Sequence, residues 1–264
     1  MKFKLKDRAL IKISGEDSEN FIQSQFSNDI KKIRKKEIQI NAYCQHQGKV
    51  IAILLVLKSS ENYYLSIPIE LKDLVLSKLN MFKLMSRVVI EDYSDKLYQY
   101  GLIREEKNNS FRINNNLSIL ISRDIFTDIL DSKQWEIACI NDKLPEIYLN
   151  TSEKHIPQVL NLDIDQIGVS FTKGCYPGQE VVARMHYLGK PKRRLFRFKS
   201  ECEVFVGDSL YVGNSKSLKP SGQVIRVANK DGKFYFLGVF ELDHISDQIY
   251  LSNDRNKLVN LIHE

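Results

Sequence analysis

Lys173-Gly174-Cys175-Tyr176-Pro177-Gly178-Gln179-Glu180 brings a thiol, an ammonium and a carboxylate into one short stretch made pliable by its glycines. A thiol acts as nucleophile or metal ligand only as its thiolate, which nearby cations and helix amides favour. Pro177 suits a first helical position and disfavours helical backbone at Tyr176. With Glu180-Val181-Val182-Ala183-Arg184 running on as a helix, Cys175 is expected just outside its N-terminus, where unpaired amide donors stabilise negative charge. Lys173 and Arg184 are cations close by in sequence. The spacing admits two readings, a reactive cysteine and a small, half-buried hydrophobe beside a tight turn.

Other elements must hold this turn. Upstream, Ala9 to Ser14 reads as a strand, broken by Gly15 and followed by a helix through Phe21, Ile22 and Gln25 that Ser14 or Asp17 caps. The cluster Lys31, Lys32, Arg34, Lys35 and Lys36 reads as a solvated face. Val50 to Leu57 is a continuous apolar strand expected to be covered on both faces, and Tyr63 to Ile67 a second strand. Leu71, Leu74, Val75, Leu79 and Phe82 recur at helical spacing, and Val88-Val89-Ile90 is again strand-like. That order predicts an α+β layer with a helix packed on a sheet. A weaker repeat of the pattern runs from Lys96 to Ile121, with a helix expected over Phe126 to Leu130. Trp135, the only tryptophan, follows a polar turn; both a core position and a partly exposed stacking surface are open to it.

Beyond the turn, Gly189-Lys190-Pro191-Lys192-Arg193-Arg194 marks a boundary. Short strands follow over Leu195–Phe198, Ser209–Val212, Gln223–Val227, Phe234–Leu237 and Gln248–Leu251, separated by turn signals such as Gly207-Asp208, Gly213-Asn214 and Asp231-Gly232. Their spacing predicts a small antiparallel barrel.

At 264 residues, 43% hydrophobic and 27% charged, the chain has material for more than one unit with a real core. A net charge of +6 permits an anionic partner without demanding one. Neither a signal-peptide core nor a membrane-length apolar run is found, so a soluble, cytoplasmic chain without membrane contact is expected, and as a monomer. Cys44, Cys139, Cys175 and Cys202 form no Cys-x-x-Cys pair, which gives a zinc site or a self-held iron–sulfur cluster little support. Four reduced thiols, most of them buried, are expected.

A family resemblance attaches to these residues. Ile156-Pro157-Gln158, Asn161-Leu162-Asp163, Gly168-Val169-Ser170-Phe171, the Lys173–Glu180 stretch and Val182-Ala183-Arg184 closely resemble the signature of YgfZ-type folate-binding proteins, relatives of the aminomethyltransferase of the glycine cleavage system. Upstream, Ile13 to Ser18, Phe21 to Asp29 and Gly48-Lys49 fit the same pattern, as does Arg193-Arg194-Leu195 downstream. The cysteine octapeptide is specific, whereas the other pieces alone are weak. The resemblance implies an α+β fold of two intertwined lobes around a central cavity, over residues 1–190 with the second lobe near 96–155. It implies a C-terminal antiparallel β-barrel over 191–264. It further implies tetrahydrofolate as cofactor, and a role in assembling or maintaining iron–sulfur enzymes, tRNA-thiolating ones included.

In the family the motif cysteine is the functional residue, here Cys175. Folate binding is associated with two tryptophans; Trp135 falls at one place and Arg8 departs at the other. A guanidinium at that place can stack on a pterin or pair with a glutamate tail. A second departure is Asn141-Asp142-Lys143, where relatives carry a glycine. On this reading Lys173 lowers the thiol's pKa, Glu180 orients a pterin, and any cluster is shared with a partner protein. An alternative is a folate-dependent aminomethyltransferase, with Asp29 as the carboxylate facing the reactive nitrogen. A third reading is a nucleic-acid module using Lys31–Lys36 and Lys190–Lys199, but no run of exposed aromatics accompanies those lysines in sequence.

Overall fold

The structure, a computed structural model, describes residues 1–263 except 85, 214–218 and 253–255. In chain order its first half holds β1 (Lys2–Lys4), β2 (Arg8–Ser14), α1 (Ser18–Gln25), β3 (Ile38–Cys44), β4 (Val50–Ser59), β5 (Asn62–Pro68), α2 (Lys72–Phe82) and β6 (Val89–Asp92). Then come β7 (Tyr98–Ile103), β8 (Ser110–Arg112), β9 (Leu117–Ser122), α3 (Lys133–Asn141) and α4 (Gln179–Leu188). The remaining strands are β10 (Arg193–Ser200), β11 (Ser209–Val212), β12 (Gly222–Lys230), β13 (Lys233–Glu241), β14 (Ile249–Tyr250) and β15 (Leu258–Leu261).

The first lobe is a five-stranded sheet in the order β3-β4-β5-β2-β6, and the second a four-stranded sheet in the order β1-β7-β9-β8. The lobes are intertwined because β1 crosses over to pair with β7, through Phe3 opposite Gly101. Every residue from Val50 to Leu57 is buried, as a continuous apolar run requires. Alternate residues serve different layers: Leu54 and Val56 join the main core, while Leu55 and Leu57 face a second core between the lobes. On α2, Val75 and Leu79 carry the buried stripe.

The second core is built around Trp135. Its side chain is 2% exposed and packs with Phe3, Leu5, Ile38, Leu117, Ile119 and Leu144. A Cβ on Gly101 would collide with the indole, so that strand position is kept bare for the ring to lie on it. The tryptophan is a core residue and offers no exposed stacking surface. The helix expected over Phe126–Leu130 is also absent; the turn of helix forms later, as α3. Five residues are too few to hold a helix alone, and Leu130 instead bridges to Phe3, its amide donating to the Lys2 carbonyl at 2.9 Å. Strands β1 and β3 lie outside the sequence reading. The second of these, Ile-Gln-Ile-Asn-Ala-Tyr-Cys, does alternate, but follows a lysine cluster that reads as loop.

The barrel closes in the order β10-β13-β12-β11-β14-β15, all neighbours antiparallel. The Gly213-Asn214 turn signal lies outside the described residues at Asn214. Its docking is polar as well as apolar. Arg226 of β12 is buried, its Nε donates to Glu136 of α3 at 2.8 Å and its NH1 to the Leu144 carbonyl at 3.1 Å. Removing Glu136 would leave the buried Arg226 charge uncompensated, at about 3–5 kcal/mol. Among the described residues no helix is long and apolar enough to cross a membrane.

Candidate functional site

The octapeptide is held at both ends and open in its middle. Lys173 and Tyr176 are buried, whereas Gly174 and Cys175 between them are exposed. The Lys173 ammonium donates to the Gln23 and Phe26 carbonyls, each at 2.5 Å, and to the Asn28 carbonyl at 3.0 Å. These belong to the C-terminal turn of α1 and the residues after it, where carbonyls lack helical partners and the helix dipole is negative. The ammonium also lies 5.3 Å from the Tyr176 ring centroid. Burial pushes Lys173 down to about 8, with the Asp29 carboxylate opposing the shift. The sequence reading assigned this cation to the thiol; the structure commits it to three carbonyls of the first lobe instead.

The segment leading in is fixed to the same place. Ser170 donates its amide to the Ser27 carbonyl at 2.9 Å, and Ser27 Oγ donates to the Gly168 carbonyl at 2.5 Å. Asn28 Nδ2 donates to the Ile167 carbonyl at 3.2 Å. On the far side, Gly178 (φ +81°) is the N-cap of α4. Pro177 therefore precedes the cap rather than opening the helix, and Tyr176, Pro177 and Gly178 separate Cys175 from the first helical residue. Gly178 lies against the β3–β4 turn: a Cβ on it would sit 2.7 Å from Gly48 Cα and would overlap the Gln45 carbonyl.

Cys175 is the one exposed cysteine among four free thiols. Cys44 and Cys139 are buried, and burial pushes both thiols up to about 12, which makes them inert near neutral pH. Glu180 and Arg184 are exposed on α4 and make no ion pair among the described residues. Asp29 is occupied: it accepts from Gln23 Nε2 at 3.0 Å and from the Lys31 amide at 3.3 Å, capping a 3-10 turn. Its carboxylate is a structural cap.

Arg8 and Trp135 do not meet Cys175's loop; Arg8 lines a concavity, and Trp135 lies buried outside its lining. Arg8 donates through Nε to Ser66 Oγ at 2.8 Å and through NH2 to the Ser66 carbonyl at 2.9 Å, and pairs with buried Glu146. Its guanidinium is thereby committed, neither stacking nor free for a glutamate tail. Beside it lies a cavity of about 400 Å³ lined by Lys6, Arg8, Ser132, Glu136, Tyr148 and Val227. Trp135 acts from beneath, fixing α3 so that Ser132 and Glu136 reach this wall. The interface between the lobes is otherwise filled by the Trp135 core, and a second cavity of about 660 Å³ opens at its other margin near Arg34, Asp142 and Gln166. Glu136 and Tyr148, missed in sequence, have no local motif; only the fold brings them to Arg8.

No family model matches the chain. It is 31% identical over 249 residues to an uncharacterized protein of Haemophilus influenzae, covering 90% of this chain and 88% of that one. To the tRNA-modifying protein YgfZ of Colwellia psychrerythraea it is 29% identical over 233 residues, 75% of this chain and 71% of the relative. The YgfZ of Buchnera aphidicola is likewise 29% identical, over 76% of this chain and 73% of its own. Among solved structures, the glycine cleavage system aminomethyltransferase T of Bartonella henselae superposes with a TM-score of 0.73 at 10% identity, over 100% of this chain and 84% of that one. That likeness is one of fold.

Proposed function

We propose that the chain, which is 29% identical to YgfZ proteins over about three quarters of its length, is a tetrahydrofolate-binding accessory protein that supports iron–sulfur enzymes, tRNA-modifying ones among them, through Cys175. The observation that carries this reading is the loop's construction: two buried anchors, Lys173 and Tyr176, hold an exposed Gly174-Cys175 pair out toward a partner. An exposed thiol so held supplies a soft, transient ligand or a thiol-exchange partner, while the buried cysteines do not.

For the folate, the cavity beside Arg8 has the fitting chemistry. Glu136, whose Oε2 already accepts from Arg226, has Oε1 left for an N–H donor, Ser132 and Tyr148 offer hydroxyls, and Lys6 at the rim suits a glutamate tail. Bound folate would supply a one-carbon carrier there; the protein's part is to hold and orient it. The aminomethyltransferase alternative has less support, because Asp29 is engaged as a cap.

Titration calorimetry with tetrahydrofolate tests the folate half of the reading. Saturable binding weakened in Lys6→Glu and Tyr148→Phe supports it. Binding that both variants leave unchanged, or none by the intact protein, removes the Arg8 cavity as the seat.

A further inference from the structure

The C-terminal end of α4 joins aromatic rings to cations that have no ion-pair partner among the described residues. His186 stacks on Phe171 with ring centroids 3.6 Å apart and planes 12° from parallel. Tyr187 stands edge-on to both, at 4.9 Å from His186 and 6.3 Å from Phe171. The stack is not buried: His186 is exposed, Tyr187 is 66% exposed and Leu188 82%. Arg184 lies one turn before Leu188, and Lys190 and Lys192 follow directly, all exposed and without an ion-pair partner among the described residues. Their neighbours differ: Arg193 pairs with Glu241 inside the barrel, and Arg194 pairs with Asp163, tying the barrel to the preceding segment. The carboxylate nearest along the helix is Glu180, a turn before Arg184.

We propose that this end of α4, with the Lys190–Lys192 segment, is a contact surface for single-stranded RNA. Exposed ring faces next to unpaired cations are what a single strand requires: bases stack on the rings and phosphates lie against the ammonium and guanidinium groups. Within 190–199 the only rings, Phe196 and Phe198, pack in the barrel core, whereas the rings beside Lys190 and Lys192 come from Phe171 and from the preceding helix and meet only in the fold. An acidic protein would use the same charges but has no need of the open His186 and Tyr187 faces. The inference is independent of the folate reading, since α4 does not line the Arg8 cavity.

Fluorescence anisotropy of the full chain with a short fluorescein-labelled single-stranded RNA tests it, run at low and physiological potassium chloride. Saturable binding is expected, and Tyr187→Ala, a substitution at an exposed position, weakens it about 5-fold or more. Combined Arg184→Glu, Lys190→Glu and Lys192→Glu flatten the log–log salt slope by about 2, since each phosphate contact on a single strand contributes about 0.7. The same reversals at Lys31, Lys35 and Lys36, a basic cluster without the stack, leave affinity within about 2-fold of the unmodified chain. No binding by the unmodified chain, equal affinity for a duplex RNA, an unaffected Tyr187→Ala, or equal loss in the two charge-reversed variants overturns the proposal.

Discussion

Gly178 and Gly48 touch backbone to backbone, so that the cap of α4 rests on the β3–β4 turn with no room for a side chain at Gly178. This contact fixes where α4 begins, and with it where the Cys175 loop leaves the protein. Gly178→Ala meets two penalties at once. A left-handed φ of +81° disfavours any L side chain by about 1–2 kcal/mol, and the added Cβ overlaps the Gln45 carbonyl. The expected outcome is a loss of at least about 2 kcal/mol in denaturant unfolding. An unchanged unfolding midpoint would mean that the two turns are not in contact.

Lys173 gives a pH signature with a definite sign. Its folded pKa, lowered to about 8 by burial, lies below the ordinary lysine value of 10.5. Between those two values the unfolded chain holds a proton that the folded chain has released, so stability rises with pH across that window. Relative to Lys173→Met, the unmodified protein therefore gains stability between pH 8 and 10.5 and not below it. Parallel stability curves for the two proteins would show that the ammonium is not desolvated as described.

His155 behaves oppositely in range though not in cause. Its ring, bonded to Gln223 of the barrel at 2.9 Å, has a pKa lowered below 6.5 mainly by burial. Below pH 6.5 the unfolded chain accepts a proton that the folded chain refuses, so stability falls as pH falls. In His155→Gln this part of the acid sensitivity is expected to disappear. Thermal melts at several pH values check it, and an unaltered slope would refute it.

How much of this was legible in the residues differs from place to place. The long apolar β4 and the evenly spaced barrel strands carry strong periodic signals, and the octapeptide was recognisable on its own. The role of Lys173 was not, because its partners are main-chain carbonyls near residues 23–28, remote in sequence and without any side-chain signature. Strand β1 is three residues long and exists only because β7 is there to pair with it. In sequence Trp135 reads as a core residue with an exposed stacking surface as the alternative, and the bare Cα of Gly101 beneath its ring decides for the core.

The departure at Lys143 also has a structural reading. Its amide donates to the Ile140 carbonyl and that of Leu144 to the Cys139 carbonyl, a helix-terminating pair of bonds that places Lys143 at φ +53°. A lysine there is strained where glycine is not. Lys143→Gly is expected to stabilise the protein by about 1 kcal/mol in chemical denaturation. Destabilisation would show that the lysine side chain contributes more than its backbone strain removes.

The central claim is that Cys175 acts through its exposed thiol and is not needed for folding. In cells lacking this protein, the thiolated nucleosides of tRNA made by iron–sulfur enzymes can be quantified after return of the unmodified chain or of Cys175→Ala. Because Gly174 and Cys175 are exposed, the variant is expected to melt like the unmodified protein. The account predicts restored thiolation with the unmodified chain and none with Cys175→Ala. Full restoration by the folded variant would contradict it and leave the loop a structural feature only.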